Sequence, residues 1–501
     1  MRQPVVVFGL GRSGQGAARL LLARGDQVRL LDSATGPELQ RRADQLAAEG
    51  IGVELGRPLE LASFECDGTL PQRVVVSPGI PFDHPTLQQL RDRGVAVAGE
   101  MDLAWEALQP SRWIGITGTN GKTTVAFMIK ELLEAAGTKT GLLGTVRYEI
   151  GDRVIPALRT TPEALEIQQM MAAMVRSGCR ACVLEVSSHA LEQQRVAGID
   201  FDVAIFTNLT QDHLDYHGTM ENYFTAKQKL FTGVEQGGKR GTVVINIDDS
   251  YGAKLAAATN AEVNLSYGLT AAAKVRAVNI DLGKDASRFI METPGKNSPV
   301  RLPIIGRHNI YNALAAAGAG LALKIPAATL QSAFSTMRPV PGRLEGVAAG
   351  QPFSVFVDYA HTDDALLNVL GTLREITPGQ LLLAFGCGGN RDAGKRAKMG
   401  RVAAQFADFT IITSDNPRKE SAADIAAQIE EGFHSLRAEG CAVELDRSRA
   451  IAAILARAQA GDTVLIAGKG HETCQEFEDT VVPFDDRVHA REALENLGFT
   501  G

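Results

Sequence analysis

Short apolar runs alternate with amphipathic stretches from one end of the chain to the other. Pro4–Phe8, Gln27–Leu31, Arg73–Val76, Trp113–Thr117, Ala181–Val186, Val203–Phe206 and Val243–Asn246 read as strands. Ser354–Asp358, Leu381–Phe385, Phe409–Thr413 and Thr463–Ala467 continue the series. The stretches between them carry apolar residues three and four apart, the helical period. Strand and helix in strict alternation predict parallel α/β architecture. Pro339-Val340-Pro341-Gly342-Arg343 is Pro/Gly punctuation and reads as a linker. A chain of 501 residues has a prior of about three domains, and the pattern sets them at 1–109, 110–338 and 339–501.

Composition narrows the classes. A net charge of −7 without any Lys/Arg block argues against a nucleic-acid partner. No apolar run approaches the roughly 20 residues of a membrane span. The opening MRQPVVVFGL runs straight into a strand, so no signal peptide is read. Six scattered Cys are no disulfide framework, and Cys179 and Cys182 lack the second pair a zinc site needs. That pair is expected to be two small buried side chains. A cytoplasmic monomer is expected.

Gly115-Ile116-Thr117-Gly118-Thr119-Asn120-Gly121-Lys122-Thr123-Thr124 lies between an apolar strand and an amphipathic helix. Backbone amides of such a turn cradle phosphate oxygens at a helix N-terminus. Lys122 is expected on the β/γ-phosphates and the Thr123 hydroxyl on Mg²⁺. Five residues separate Gly115 from Gly121, one more than in the common P-loop. Glu185 ends an apolar strand and suits an Mg²⁺ ligand. Thr207-Asn208 ends another, followed by Asp212, His213, Asp215 and His217, which as residues alone fit ordinary loop polarity equally well. In the next helix Lys227 falls on the stripe of Met220, Tyr223, Phe224, Leu230 and Phe231. A lysine there snorkels outward or has a task inside. Lys229 lies off the stripe and is expected in solvent.

Gly9-x-Gly11-x-x-Gly14 with Asp32 has dinucleotide-fingerprint spacing. A UDP-sugar presents the same diphosphate and ribose as a dinucleotide, and a purely structural turn fits too. Three further loops follow strand ends, namely Gly386–Asp392, Asp415-Asn416-Pro417-Arg418 and Gly468–Glu472. Arg391 offers a fork for a carboxylate. Together the loops suggest one pocket for a zwitterion.

These motifs resemble the Mur ligases. From about Trp113 onward GTNGKTT, TTPE, LEVSSHALEQQR, TNLTQDHLDYHGTMENYFTAKQKLF, GRHNIYNALAA, PVPGRLE, VDYAHTDDAL, FGCGGNRDAGKR, SDNPR and GKGHE look like the branch that adds diaminopimelate. GLGRSG, VVVSPGIP and GVAVAGEMDL look instead like the first domain of the D-glutamate-adding branch, so the chain looks composite.

The resemblance implies a three-domain α/β protein, with a Rossmann-like N-terminal domain, a central P-loop-type ATPase domain and a Rossmann-like C-terminal domain. It implies an ADP-forming amide ligase in peptidoglycan synthesis, with an acyl-phosphate intermediate and ATP and Mg²⁺ as requirements. Gly118, Thr119, Asn120, Gly121, Lys122, Thr123, Thr124, Asn309, Arg343 and Asp358 would hold ATP. Lys122, Lys227, Glu185 and His213 would be catalytic, and Thr123, Glu185, His213 and a carbamylated Lys227 would serve the metal. The UDP-MurNAc-peptide would meet Gly9, Gly11, Arg12, Ser13, Gly14, Asp32, Ser77, Gly79, Thr160, Thr161, Ser187, Gln193 and Arg195. Meso-diaminopimelate would meet Arg391, Asp415, Asn416, Pro417, Arg418, Gly468 and Glu472. The N-terminal block leaves D-glutamate addition to UDP-MurNAc-L-Ala as the alternative. An NAD-dependent oxidoreductase explains the first Gly-rich loop but not the second or Lys227, and a nucleotide-binding switch would bind ATP without acceptor-dependent ADP release.

Overall fold

The computed structural model of the chain describes residues 4–66, 68–77, 79–100, 102–103, 111–236, 241–259 and 263–501. The boundary expected at 109/110 lies outside the described residues. The chain forms two compact units, one of residues 1–111, 162–180 and 193–200, the other of 112–161, 181–192 and 201–501.

In the first unit a five-stranded sheet runs Gly52–Leu55, Val28–Asp32, Val5–Phe8, Arg73–Val76, Ala96–Gly99. Every pairing is parallel. Both faces of its middle strand are buried, which is why Val5–Phe8 is apolar at every position. Val7 packs on one side with Leu21, Leu30 and Leu46. Val6 and Phe8 face the other side with Phe64, Leu87 and Leu90. The helix Arg12–Ala23 begins directly after Gly11 and buries Ala17, Ala18 and Leu21.

In the second unit the strand Arg112–Thr117 is central to an eleven-stranded sheet. It pairs in parallel with Ala181–Glu185 on one side and Val203–Phe206 on the other. Their C-terminal ends therefore lie side by side, with Glu185 level with Ile116 and Phe206 level with Thr117. Sequence reading missed the strands Val275–Leu282, Ser287–Thr293 and Lys296–Leu302, an antiparallel extension of this sheet. They bury alternate residues such as Ser287, Phe289 and Met291, so they show no continuous apolar run.

A six-stranded sheet follows the linker, in the order Glu345–Gly346, Ser354–Asp358, Thr463–Ala467, Leu381–Phe385, Phe409–Ile412, Cys441–Val443. All but the first pairing are parallel. The loops after Asp358, Phe385, Ile412 and Ala467 consequently emerge along one edge, where α/β sheets bind ligands. Cys179 and Cys182 are buried free thiols. Among the described residues no helix is long and apolar enough to cross a membrane.

Candidate active site

The strand Arg112–Thr117 turns through Gly118–Gly121 into the helix Lys122–Ala135. Gly118 has φ 151°, and a Cβ there would lie 1.9 Å from Thr207 Oγ1. The neighbouring strand end braces the turn from behind. Thr119 N donates to Asn208 O (2.9 Å), Asn120 N donates to Asn208 Oδ1 (2.8 Å), and Thr207 Oγ1 donates to Asn120 O (2.7 Å). Thr207 and Asn208 thus shape the loop. Lys122 Nζ folds back onto Gly118 O (3.0 Å) and Thr119 O (2.9 Å). Burial lowers its pKa, against the pull of Glu185 and Asp212.

Lys227 does not snorkel. Its side chain is buried, with Nζ donating to the same Gly118 O at 2.8 Å and lying 4.6 Å from the centre of the Tyr223 ring. Burial, then the neighbouring Lys122, holds its pKa well below the ordinary lysine value. Lys229 is exposed and pairs with Glu192.

Glu185 has no exposure. It accepts from Thr123 Oγ1 (3.0 Å), Thr145 N (2.9 Å) and Thr145 Oγ1 (2.9 Å). Thr145 carries no sequence motif and was missed. His213 adopts φ 53° with Nε2 3.4 Å from Asp212 Oδ2. Burial pushes this imidazole down to about 4, with Asp212 opposing. A hydroxyl and a carboxylate beside a phosphate loop are the hard oxygen donors Mg²⁺ takes, and they fit that ion.

Around the loop, Arg343 Nη2 donates to Thr123 Oγ1 (3.3 Å), and the guanidinium stacks 4.7 Å from the centre of the Tyr359 ring. Asp358 accepts from Leu344 N (2.6 Å) and Ala360 N (2.8 Å), tying the linker to the C-terminal sheet. Asn309 is buried and engaged with Ile305 O and Asn312 Nδ2. Asp364, also missed, accepts from Asn120 Nδ2.

The loops of the C-terminal sheet open onto the same cleft of ≈ 670 Å³, which Lys122, Thr123, Thr124, Glu185, Arg391, Asp415, Asn416, Arg418 and Glu472 all line. Gly468 is required there, since a Cβ would lie 2.5 Å from Asp415 Oδ2. Lys469, part of the Gly468–Glu472 loop but given no role from the sequence, is fully buried beneath them. Its Nζ donates to Asn416 Oδ1 and Glu472 Oε2, both at 2.9 Å, and Asn416 Nδ2 donates to the same Glu472 oxygen. Pro417 carries its carbonyl against Gly389, where a Cβ would lie 1.9 Å away.

Of the residues expected on the muropeptide, Thr160 and Thr161 stand beside Glu185. Thr160 Oγ1 lies 3.2 Å from Thr145 Oγ1, and Thr161 Oγ1 donates to Glu185 O (2.8 Å). Ser187 N donates to Thr161 Oγ1 (3.0 Å). The remainder belong to the first unit. There Gly14 packs so close to Gly9 that a Cβ would lie 1.8 Å from Gly9 O. Arg12 and Ser13 open the following helix. Ser77 Oγ approaches Gly9 O at 3.4 Å, and Gly79 is exposed. Asp32 is committed to the turn, with Oδ2 accepting from Leu10 N (2.6 Å) and Oδ1 from Ala34 N (2.8 Å). Arg195 engages Gln193 and lies 3.3 Å from Glu163.

A phosphate loop, a buried carboxylate on the adjacent strand end and a second α/β sheet opening onto one cleft define an ATP-using α/β enzyme. Three family descriptions match the chain. They are the MurD-like N-terminal domain of Mur ligases over residues 3–99, the Mur ligase middle domain over 116–320, and the Mur ligase glutamate ligase domain over 342–470. A UDP-N-acetylmuramoyl-L-alanyl-D-glutamate--2,6-diaminopimelate ligase of Solibacter usitatus is 43% identical over 486 residues, covering 89% of this chain and 97% of its own. The enzyme of that name from Caldanaerobacter subterraneus subsp. tengcongensis is 45% identical over 381 residues, 76% of this chain and 77% of its own. A solved structure with that name is 31% identical with a TM-score of 0.61, covering 95% of this chain and 93% of its own. A pseudomurein peptide ligase type C from Methanothermus fervidus, 19% identical with a TM-score of 0.59 over 99% of this chain and 100% of its own, shares the fold. The chain belongs to the Mur ligase family.

Proposed function

We propose that this chain is an ATP-dependent, ADP-forming amide ligase that adds meso-diaminopimelate to UDP-MurNAc-L-Ala-D-Glu in peptidoglycan synthesis. The observation that carries the reading is the shared cleft, with Lys122 and Glu185 on one wall and Arg391, Asn416, Arg418 and Glu472 on the other. One wall suits a triphosphate, the other a diamino dicarboxylic acid. The diaminopimelate ligases that the chain resembles are named for the same substrates. A cytoplasmic monomer of three domains, divided at 109/110 and 338/339, is part of the reading.

In the first step an acceptor carboxylate oxygen attacks the γ-phosphorus of ATP and ADP leaves. Lys122 and the loop amides offset charge on the transferring group. The free amine of the amino acid then adds to the acyl carbon, phosphate departs, and the amine proton passes to solvent. Thr123, Glu185, His213 and a carbamylated Lys227 would hold Mg²⁺, which supplies positive charge to the phosphate oxygens when bound. Buried Lys227 favours this role, because the neutral amine is the form that takes up CO₂. Arg343, Asn309 and Asp358 would orient the nucleotide, while Thr160, Thr161 and Ser187 of the second unit would meet the muropeptide and Gln193 and Arg195 are its expected contacts in the first unit. The turn of Gly9, Gly11 and Gly14 suits the UDP diphosphate.

The match of residues 3–99 to the MurD-like domain favours D-glutamate addition to UDP-MurNAc-L-Ala as a second reading. Phosphate release, measured with both acceptors crossed against meso-diaminopimelate, L-lysine and D-glutamate, separates the two. Turnover confined to the dipeptide acceptor with diaminopimelate is expected. Turnover with the shorter acceptor and D-glutamate would replace the first reading by the second.

A further inference from the structure

The hairpin Cys474–Phe477 and Thr480–Pro483 forms a two-stranded sheet of its own, apart from the three larger sheets. Four hydrogen bonds, besides one from the Arg418 side chain, strap it to the loop Asp415–Arg418. Gln475 Nε2 donates to Asp415 O (2.8 Å), and Glu476 N donates to Asn416 Oδ1 (3.1 Å). Arg418 N donates to Glu476 O (3.0 Å), and Glu478 N donates to Arg418 O (2.7 Å). Arg418 itself sits at φ 53°, a left-handed conformation a side-chain-bearing residue keeps only when its surroundings enforce it. The straps on its own N–H and C=O supply that enforcement.

The side chain is fixed as firmly as the backbone. Arg418 Nε donates to Glu476 Oε2 at 2.7 Å, and Nη1 donates to Gly389 O at 3.0 Å. Two acceptors on different elements fix the plane of a guanidinium, whose other N–H groups remain for a ligand. Arg418 lines the cleft beside Asn416 and Glu472, and Glu476 does not belong to the lining.

We propose that Glu476 is a positioning residue that determines specificity, holding the Arg418 fork in the orientation that receives a carboxylate of the incoming diamino acid. The inference rests on the amino-acid reading given above. An unheld arginine must be ordered at each binding event, and preorganising it removes that cost. An amide oxygen at this position can also accept from Nε, so a glutamine keeps the contact that a shorter side chain removes. The effect is confined to the amino-acid half of the cleft.

The test is steady-state kinetics of the full chain with ATP, Mg²⁺ and UDP-MurNAc-L-Ala-D-Glu. Glu476→Ala is expected to raise KM for meso-diaminopimelate about tenfold, with kcat and the KM for ATP nearly unchanged. Glu476→Gln, which keeps an oxygen acceptor, is expected to restore most of that loss. An unchanged or lowered diaminopimelate KM in Glu476→Ala, or an equal rise in the KM for ATP, would overturn the proposal. A crystal structure of Glu476→Ala gives a readout free of any substrate. Arg418 displaced from Gly389 O supports the positioning role, and Arg418 unmoved refutes it. Wild-type turnover with a different amino acid would sink the amino-acid reading instead, leaving the crystallographic outcome to judge whether Glu476 holds Arg418.

Discussion

The Asn120 side-chain amide donates to Asp364 Oδ2 at 2.6 Å, joining the phosphate loop to the first turn of the helix Asp363–Ile376 in the C-terminal domain. Thr210 Oγ1 donates to the same oxygen at 3.2 Å. One carboxylate therefore reads the position of both the loop and its brace. Charged hydrogen bonds are worth about 1.5–3 kcal/mol, so Asp364→Ala is expected to lower kcat/KM for ATP by roughly 10- to 100-fold. Diaminopimelate KM should move little. Kinetics with ATP varied at saturating amino acid decide it, and a wild-type value would mean the bond is absent during turnover.

This contact spans 244 positions in sequence, which explains why Asp364 escaped notice. Motif reading finds residues whose neighbours in sequence are also neighbours in the site, as in Gly118–Thr124. It found Lys227 too, since a lysine on an apolar helical stripe breaks the pattern visibly. Thr145, Lys469 and Glu476 break no pattern. Each is an ordinary polar residue until tertiary contacts give it a carboxylate, an amide or a guanidinium to hold. The parallel strands were legible as continuous apolar runs. The antiparallel strands Val275–Leu302 were not, because half of their side chains face water.

Lys122 opens the helix after the phosphate loop, and its amine is folded onto Gly118 O and Thr119 O. Lys122→Ala is expected to lower ADP release by about a thousandfold or more. Coupled-enzyme detection of ADP at saturating substrates checks this. Retained full activity would remove Lys122 from phosphoryl transfer.

Lys227 shares Gly118 O with Lys122, and both amines are pushed below the ordinary lysine pKa, mainly by burial. A depressed pKa leaves more neutral amine at a given pH, and carbamate formation consumes the neutral amine. Lys227→Ala is expected to lose activity by about a thousandfold. A short carboxylic acid added in solution should restore part of it by filling the vacated space with an anion. Mass spectrometry under CO₂ offers a second check. Wild-type activity in the alanine variant would leave Lys227 without a catalytic task.

Arg447 and Asp486 form an ion pair with no exposure of either side chain, through Nε–Oδ1 and Nη2–Oδ2 bonds of 2.7 Å each. The guanidinium also donates to Ser414 O (3.2 Å) and Ala467 O (3.0 Å), the residues just before Asp415 and Gly468. It therefore supports two of the loops that line the cleft. Arg447→Met strands a buried carboxylate, with an expected loss of about 3–5 kcal/mol. Asp486→Leu added to it should recover much of that loss. Denaturant unfolding of the single and double variants measures both, and equal loss in both would assign the effect to packing.

Glu100 gives the first unit a pH dependence. It is 6% exposed, faces the Ser77 and Ser13 hydroxyls, and burial pushes its carboxyl up to about 7. Between the ordinary carboxyl value of about 4.5 and this raised value, the folded chain holds a proton that the unfolded chain has released. Its contribution to stability is therefore fully present below the unfolded pKa and is lost as pH rises through about 7. Glu100→Gln keeps the shape of the protonated side chain and cannot ionise. The variant is expected to match wild type in unfolding midpoint near about pH 4 and to exceed it near about pH 8. Denaturation curves at the two pH values provide the measurement. A gap that stays constant with pH would show that Glu100 keeps one protonation state across the range.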